Sequence, residues 1–271
     1  MPAALPFIRD SGMGIGVVCL HSNASSSSQW RGLMDSLSPR FRVLAPDCYG
    51  AGKSANWSSD QTISLDDEVD FIEPALVSAG ESIFLVGHSY GAAIALKAAL
   101  RKPQRVRGMV LYEPTLFSLI DADSSPPNAA DGIKQAVQAA GYALDNGDTS
   151  QAAKCFIDYW MGPQGWDNTP DSKKGPISAS VVNVRRWAHA LLTEPAALNA
   201  FGALDVPVLY LVGKSTTPSA SGVARLLTAV LPRVEVMVFD ALGHMGPVTH
   251  PQLVNGAIAD FLDRHIAATS T

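Results

Sequence analysis

Cysteine is scarce in this chain, three among 271 residues, and Cys19, Cys48 and Cys155 contain no closely spaced pair. An odd number so far apart builds no disulfide framework, and reduced thiols in a reducing, cytoplasmic setting are the expectation. The six histidines are equally scattered, and no metal-ligand spacing joins them to the cysteines, so no metal and no other cofactor is expected. Runs of lysine and arginine are also missing. Charged residues make up 17% of the chain and the net charge is −5, which argues against a face for nucleic acid. No apolar stretch approaches the ~20 residues that cross a bilayer. The start, Met1-Pro2-Ala3-Ala4-Leu5-Pro6, lacks the basic segment and apolar run of a secretory signal. These absences leave a small-molecule substrate as the expected partner, with no membrane or nucleic acid, while assembly into a homo-oligomer stays open.

What is present is alternation. Short β-rich runs at 16–20, 41–45, 83–86, 106–112, 206–212 and 234–239 are separated by helical stretches at 27–37, 65–79, 92–101, 220–231 and 251–265. The runs are apolar on both faces, the pattern of a parallel sheet covered by helices. Ser64 ahead of Leu65-Asp66-Asp67 reads as an N-cap with acids in the first turn. The expected fold is therefore α/β: a doubly wound, mostly parallel sheet flanked by helices. One interval breaks the rhythm. Residues 117–201 offer no convincing strand but several helical patches, broken by Pro126-Pro127 and Gly162-Pro163. They read as a helical cap inserted into a core of 1–116 and 202–271.

Gly87-His88-Ser89-Tyr90-Gly91 lies between the run Ile83-Phe84-Leu85-Val86 and a helix-like stretch beginning at Ala92. A serine on so sharp a strand-to-helix turn stands clear of the sheet, and small residues two positions either side let the turn close. The helix that starts there aims free N–H groups at negative charge forming beside the serine. Such a hydroxyl needs a base. His244, in the loop Gly243-His244-Met245-Gly246 after the last β-rich run, shares the sheet edge with Ser89 and is the candidate. His88 points elsewhere by alternation, His189 lies in the insertion, and His21, His250 and His265 read as loop or surface residues.

These two segments, with Asp47-Cys48-Tyr49-Gly50-Ala51-Gly52-Lys53-Ser54, resemble the α/β-hydrolase superfamily over most of the chain outside the insertion. The resemblance implies a nucleophile, acid and base in the order serine, acid, histidine. The acid's usual loop here reads Gly213-Lys214-Ser215-Thr216-Thr217-Pro218, with Thr216 where an aspartate would stand. Some family members, including certain haloalkane dehalogenases and lactone hydrolases, carry the acid after the strand that follows the elbow helix, which points to Glu113; Asp121, Asp123 and Asp240 are the rivals. The family's oxyanion hole maps onto the backbone N–H groups of Tyr90 and Asn23, in His21-Ser22-Asn23 where the family usually has His-Gly-x. Gly50-Ala51-Gly52-Lys53-Ser54 is not a phosphate loop, because Asp47 stands where that motif needs glycine.

The resemblance implies acyl transfer to water on an ester or lactone. Serine as nucleophile disfavours the dehalogenase and epoxide hydrolase chemistries, whose family members use aspartate. Amide or carbon–carbon cleavage, and a non-hydrolytic receptor on the same fold, stay as alternatives. Tyr159, Trp160 and Trp187 are candidate substrate contacts in the insertion, although such large apolar groups serve equally as its own core.

Overall fold

Six valine- and leucine-rich segments, too short for helices, pair side by side in the computed structural model, which describes residues 5–57 and 62–266. In chain order the elements are β1 (Ile8–Ser11), β2 (Ile15–Leu20), α1 (Arg31–Leu37), β3 (Phe41–Pro46), α2 (Leu65–Ser78), β4 (Ile83–His88), α3 (Tyr90–Arg101) and β5 (Val106–Tyr112). Six helices follow: α4 (Ser118–Asp123), α5 (Asp131–Asp145), α6 (Thr149–Met161), α7 (Asp171–Val181), α8 (Val184–Leu192) and α9 (Leu198–Phe201). The chain then completes the sheet with β6 (Val208–Gly213), α10 (Pro218–Val230), β7 (Val234–Phe239), α11 (Gly246–Thr249) and α12 (Pro251–Ile266).

The sheet order is β1-β3-β2-β4-β5-β6-β7, with β1 antiparallel to β3 and every other pair parallel. Side chains alternate along each strand. Val18, Leu20, Leu44 and Leu85 therefore pack one way, with α2, α3 and α10, while Val17, Cys19, Val43 and Val86 pack the other, with α1 and α12. This is the doubly wound α/β fold. The helices between β5 and β6 extend the first of these cores through Phe156, Trp160 and Trp187.

Two details depart from the sequence expectation. β1 was not foreseen, because Ile8-Arg9-Asp10-Ser11 is short and mostly polar; its ladder to β3 and the packing of Ile8 against the core hold it. At the opposite edge, β7 is not covered on both faces, and Val236 and Val238 are 49% and 55% exposed. The capping of α2 follows expectation: Ser64 Oγ accepts from the Asp67 amide, and the Asp67 carboxylate accepts from the Ser64 amide. Among the described residues no helix is long and apolar enough to cross a membrane, and no group of His, Cys, Asp and Glu side chains is arranged to hold a metal ion.

Candidate active site

β4 and α3 meet at Ser89, whose backbone sits at φ 57° and ψ −116°, a strained region for a residue with a side chain. Two glycines permit the turn. A Cβ on Gly87 would lie 2.4 Å from the Ala92 Cα, and one on Gly91 would lie 2.3 Å from the Leu20 carbonyl oxygen. The second contact also shows how closely the start of α3 abuts the end of β2, which sets Ser89 beside the loop carrying Asn23.

Because β4, β5 and β7 are parallel, the chain segments leaving them share one sheet edge. Ser89, Glu113 and His244 meet there. Ser89 Oγ donates to His244 Nε2 across 2.9 Å, and His244 Nδ1 donates to Glu113 Oε2 across 2.7 Å. All three residues are buried. The Glu113 carboxylate also accepts from the Gly213 amide at 2.7 Å and from Thr216 Oγ1 at 2.6 Å. Thr216 thus keeps, as a donor, the sheet-edge position where the family pattern has an acid. With Nδ1 committed to the carboxylate, the Nε2 lone pair faces the serine hydroxyl. The arrangement can remove a proton from the hydroxyl and hold the resulting imidazolium.

A second hydrogen-bonded series runs behind the first. His88 Nε2 donates to the His244 carbonyl at 2.8 Å, and His88 Nδ1 accepts from Gln29 Nε2 at 3.1 Å. Gln29 Oε1 accepts in turn from the Ser22 amide and hydroxyl. The loop bearing Asn23 and the loop bearing His244 are therefore tied together through β4. Burial, and next the nearby His244, hold His88 well below the usual histidine pKa, so it works as a neutral ring with one donor and one acceptor. Tyr112 Oη donates to the Gly243 carbonyl at 2.8 Å and fixes the base loop from β5.

Asn23 and Ser89 line a cavity of about 20 Å³ whose only other polar lining residue is Thr115. Its remaining walls are apolar, led by Phe117, Phe156, Trp160 and Trp187, with no charged side chain among them. Trp160 also lies flat on the His244 ring, with centroids 3.8 Å apart and planes 23° from parallel. The Tyr90 amide, first in its helix, has no intrahelical acceptor. Its side chain turns away, and the hydroxyl donates to the buried Glu68 carboxyl at 3.1 Å.

Of the predicted substrate contacts, Trp160 and Trp187 line the cavity but Tyr159 does not. Its hydroxyl is bonded to Ser219 Oγ at 2.7 Å, fastening α6 to α10. The rival acids are engaged elsewhere: Asp121 with Lys134, Asp123 with Arg225 and Asp240 with Lys214. His21 lies in a loop, as expected, but it is buried there. It is 2% exposed, donates from Nδ1 to the Ser22 carbonyl and accepts from the Cys48 amide at Nε2. The Asp47 loop closes on its own aspartate, which accepts from the Ser27 and Lys53 amides. Sequence reasoning missed Thr115 and Glu68. Thr216 was noticed only as a missing acid.

A family model described as alpha/beta hydrolase fold matches residues 16–251. The chain is similar to a haloalkane dehalogenase of Agrobacterium fabrum, at 24% identity over 94% of this chain and 87% of that protein. It is 33% identical to a 2-hydroxymuconate semialdehyde hydrolase of Pseudomonas sp. (strain CF600), over 96% of this chain and 91% of the relative. Among solved structures it resembles a thermophilic esterase from Thermogutta terrifontis, with a TM-score of 0.75, 22% identity, and coverage of 96% and 93% of the two chains.

Proposed function

The chain belongs to the alpha/beta hydrolase fold family, and from that membership we propose that it is a serine hydrolase cleaving an ester or lactone of a small to medium, partly hydrophobic substrate through an acyl-enzyme. The observation that carries this reading is the unbroken hydrogen-bonded line Glu113–His244–Ser89. His244, oriented by Glu113, takes the Ser89 proton as the hydroxyl attacks the carbonyl carbon. The Tyr90 and Asn23 amides stabilise the oxyanion. His244 then protonates the leaving group and activates water against the acyl-enzyme.

Serine as the nucleophile disfavours dehalogenase chemistry, which members of the superfamily carry out with aspartate. Residues 117–201 act as the cap that closes over the site, on a core formed by 1–116 and 202–271. The free cysteines, two of them buried, fit a cytoplasmic setting. The 33% likeness to a 2-hydroxymuconate semialdehyde hydrolase, over 96% of this chain, supports a second reading, hydrolysis of an amide or carbon–carbon bond by the same three residues.

The test is multiple turnover of p-nitrophenyl acetate and butyrate. Ser89→Ala is expected to abolish it with the fold retained, and a serine-directed phosphonate should label the peptide containing Ser89. Release of at most one equivalent by the wild type, or a label on another peptide, overturns the proposal.

A further inference from the structure

One buried polar atom lies beside the chemistry without a partner. Thr115 is 1% exposed and lines the cavity with Ser89 and Asn23, yet among the described residues its Oγ1 meets neither donor nor acceptor. Its backbone carbonyl is occupied, accepting from the Phe117 amide at 2.9 Å. A buried hydroxyl left unpaired destabilises the fold. Valine has nearly the same shape and would avoid that penalty, so packing does not account for threonine here. A ligand atom completing the hydrogen bond does. The other lining residues restrict what that ligand is. None carries a charge, so an ionised group beside Thr115 would lose its hydration with nothing to compensate it. The apolar remainder suits hydrocarbon.

We propose that Thr115 is a specificity-determining residue for an acyl group that carries an uncharged oxygen, hydroxyl or carbonyl, close to its scissile carbonyl. A threonine hydroxyl both donates and accepts, so either oxygen can pair with it. This rests on the hydrolase reading above, and the experiment separates the two.

Two pairs of p-nitrophenyl esters differ only by hydroxyl against methyl: 3-hydroxybutanoate with 3-methylbutanoate, and 2-hydroxypropanoate with 2-methylpropanoate. Comparing each pair's kcat/KM ratio between enzyme forms cancels the esters' own reactivity. In at least one pair the ratio is expected to favour the hydroxylated ester by roughly tenfold more in wild type than in Thr115→Val. Thr115→Ser should keep the preference, and the methylated ester should be turned over by Thr115→Val at least as well as by wild type. Equal ratios in both pairs, with or without an equal loss on all four esters, overturn the proposal.

Binding of methyl 3-hydroxybutanoate and methyl 2-hydroxypropanoate, and of their methyl-for-hydroxyl analogues, to Ser89→Ala with and without Thr115→Val is read by tryptophan fluorescence. It supplies a readout independent of turnover. Turnover without preference overturns the subsite and leaves the hydrolase. A preference in binding that Thr115→Val erases, with no wild-type turnover, leaves the subsite and overturns the hydrolase. Neither turnover nor preference overturns both.

Discussion

Glu113 holds its place at a cost, with φ at 45° and its side chain at the meeting point of three donors: His244 Nδ1, the Gly213 amide and Thr216 Oγ1. An amide in its place keeps the shape but turns an NH₂ toward one of those donors, so the imidazole loses its fixed tautomer. Glu113→Gln is expected to lower kcat by roughly 10⁴-fold, the size seen when a triad acid is made an amide elsewhere; a loss confined to KM would contradict it. Glu68 is a different kind of buried acid. Burial raises its pKa from 4.5 to about 8. The unfolded chain gives up this proton near 4.5 while the folded one keeps it to about 8, so the group's contribution to stability is fully present in acid and is lost as pH rises through that window. Glu68→Gln should flatten the pH dependence of the denaturation midpoint across it, and parallel curves would refute the assignment. Ser89 and His244 were legible in the chain because their neighbours spell out a strand, a turn and a helix. Glu68 was not, since one acid among several at the start of α2 bears no mark of being the one facing inward.

At the scale of elements, the strands and the helices that cover them follow from period and propensity to within a few residues. β1 carries too little hydrophobicity to announce itself, and Gln29 and His88 act through partners 59 residues apart in the chain. Such long-range pairings are set by topology, and no local pattern encodes them. The same holds for how the insertion is fastened. Lys97 on α3 pairs at 2.9 Å with Glu194, just after α8, whose side chain is 3% exposed, and also with Asp66 on α2. Lys97→Met would leave Glu194 buried without its cation, and a destabilisation of about 2–4 kcal/mol is expected in denaturant unfolding. Adding Glu194→Leu should recover most of it, because the second change removes the stranded charge. A double variant no more stable than Lys97→Met would contradict this.

At the scale of the whole molecule, the sheet assembles three side chains at one edge, and apolar side chains from the helices between β5 and β6 line the cavity beside them. Trp160 shows the two parts acting on each other: it belongs to the insertion's aromatic core, through Phe117 and Phe156, and lies against the imidazole supplied by the sheet. Sequence reading located the aromatic cluster but left open whether it was core or pocket, and the structure makes it both.

The chamber beside Ser89 is walled by Phe117, Phe156, Trp160 and Trp187, so a bound substrate fills the space next to the nucleophile. On the proposed acyl-enzyme route an acyl group occupies that space, and whatever arrives to release it must be small enough to reach the carbonyl beside it. Methanol is therefore expected to intercept the acyl-enzyme and yield a methyl ester, while benzyl alcohol at equal concentration should give almost none. Product partitioning followed by chromatography reads this directly, and equal transfer to both alcohols would mean that the chamber stands open during the second half of the reaction.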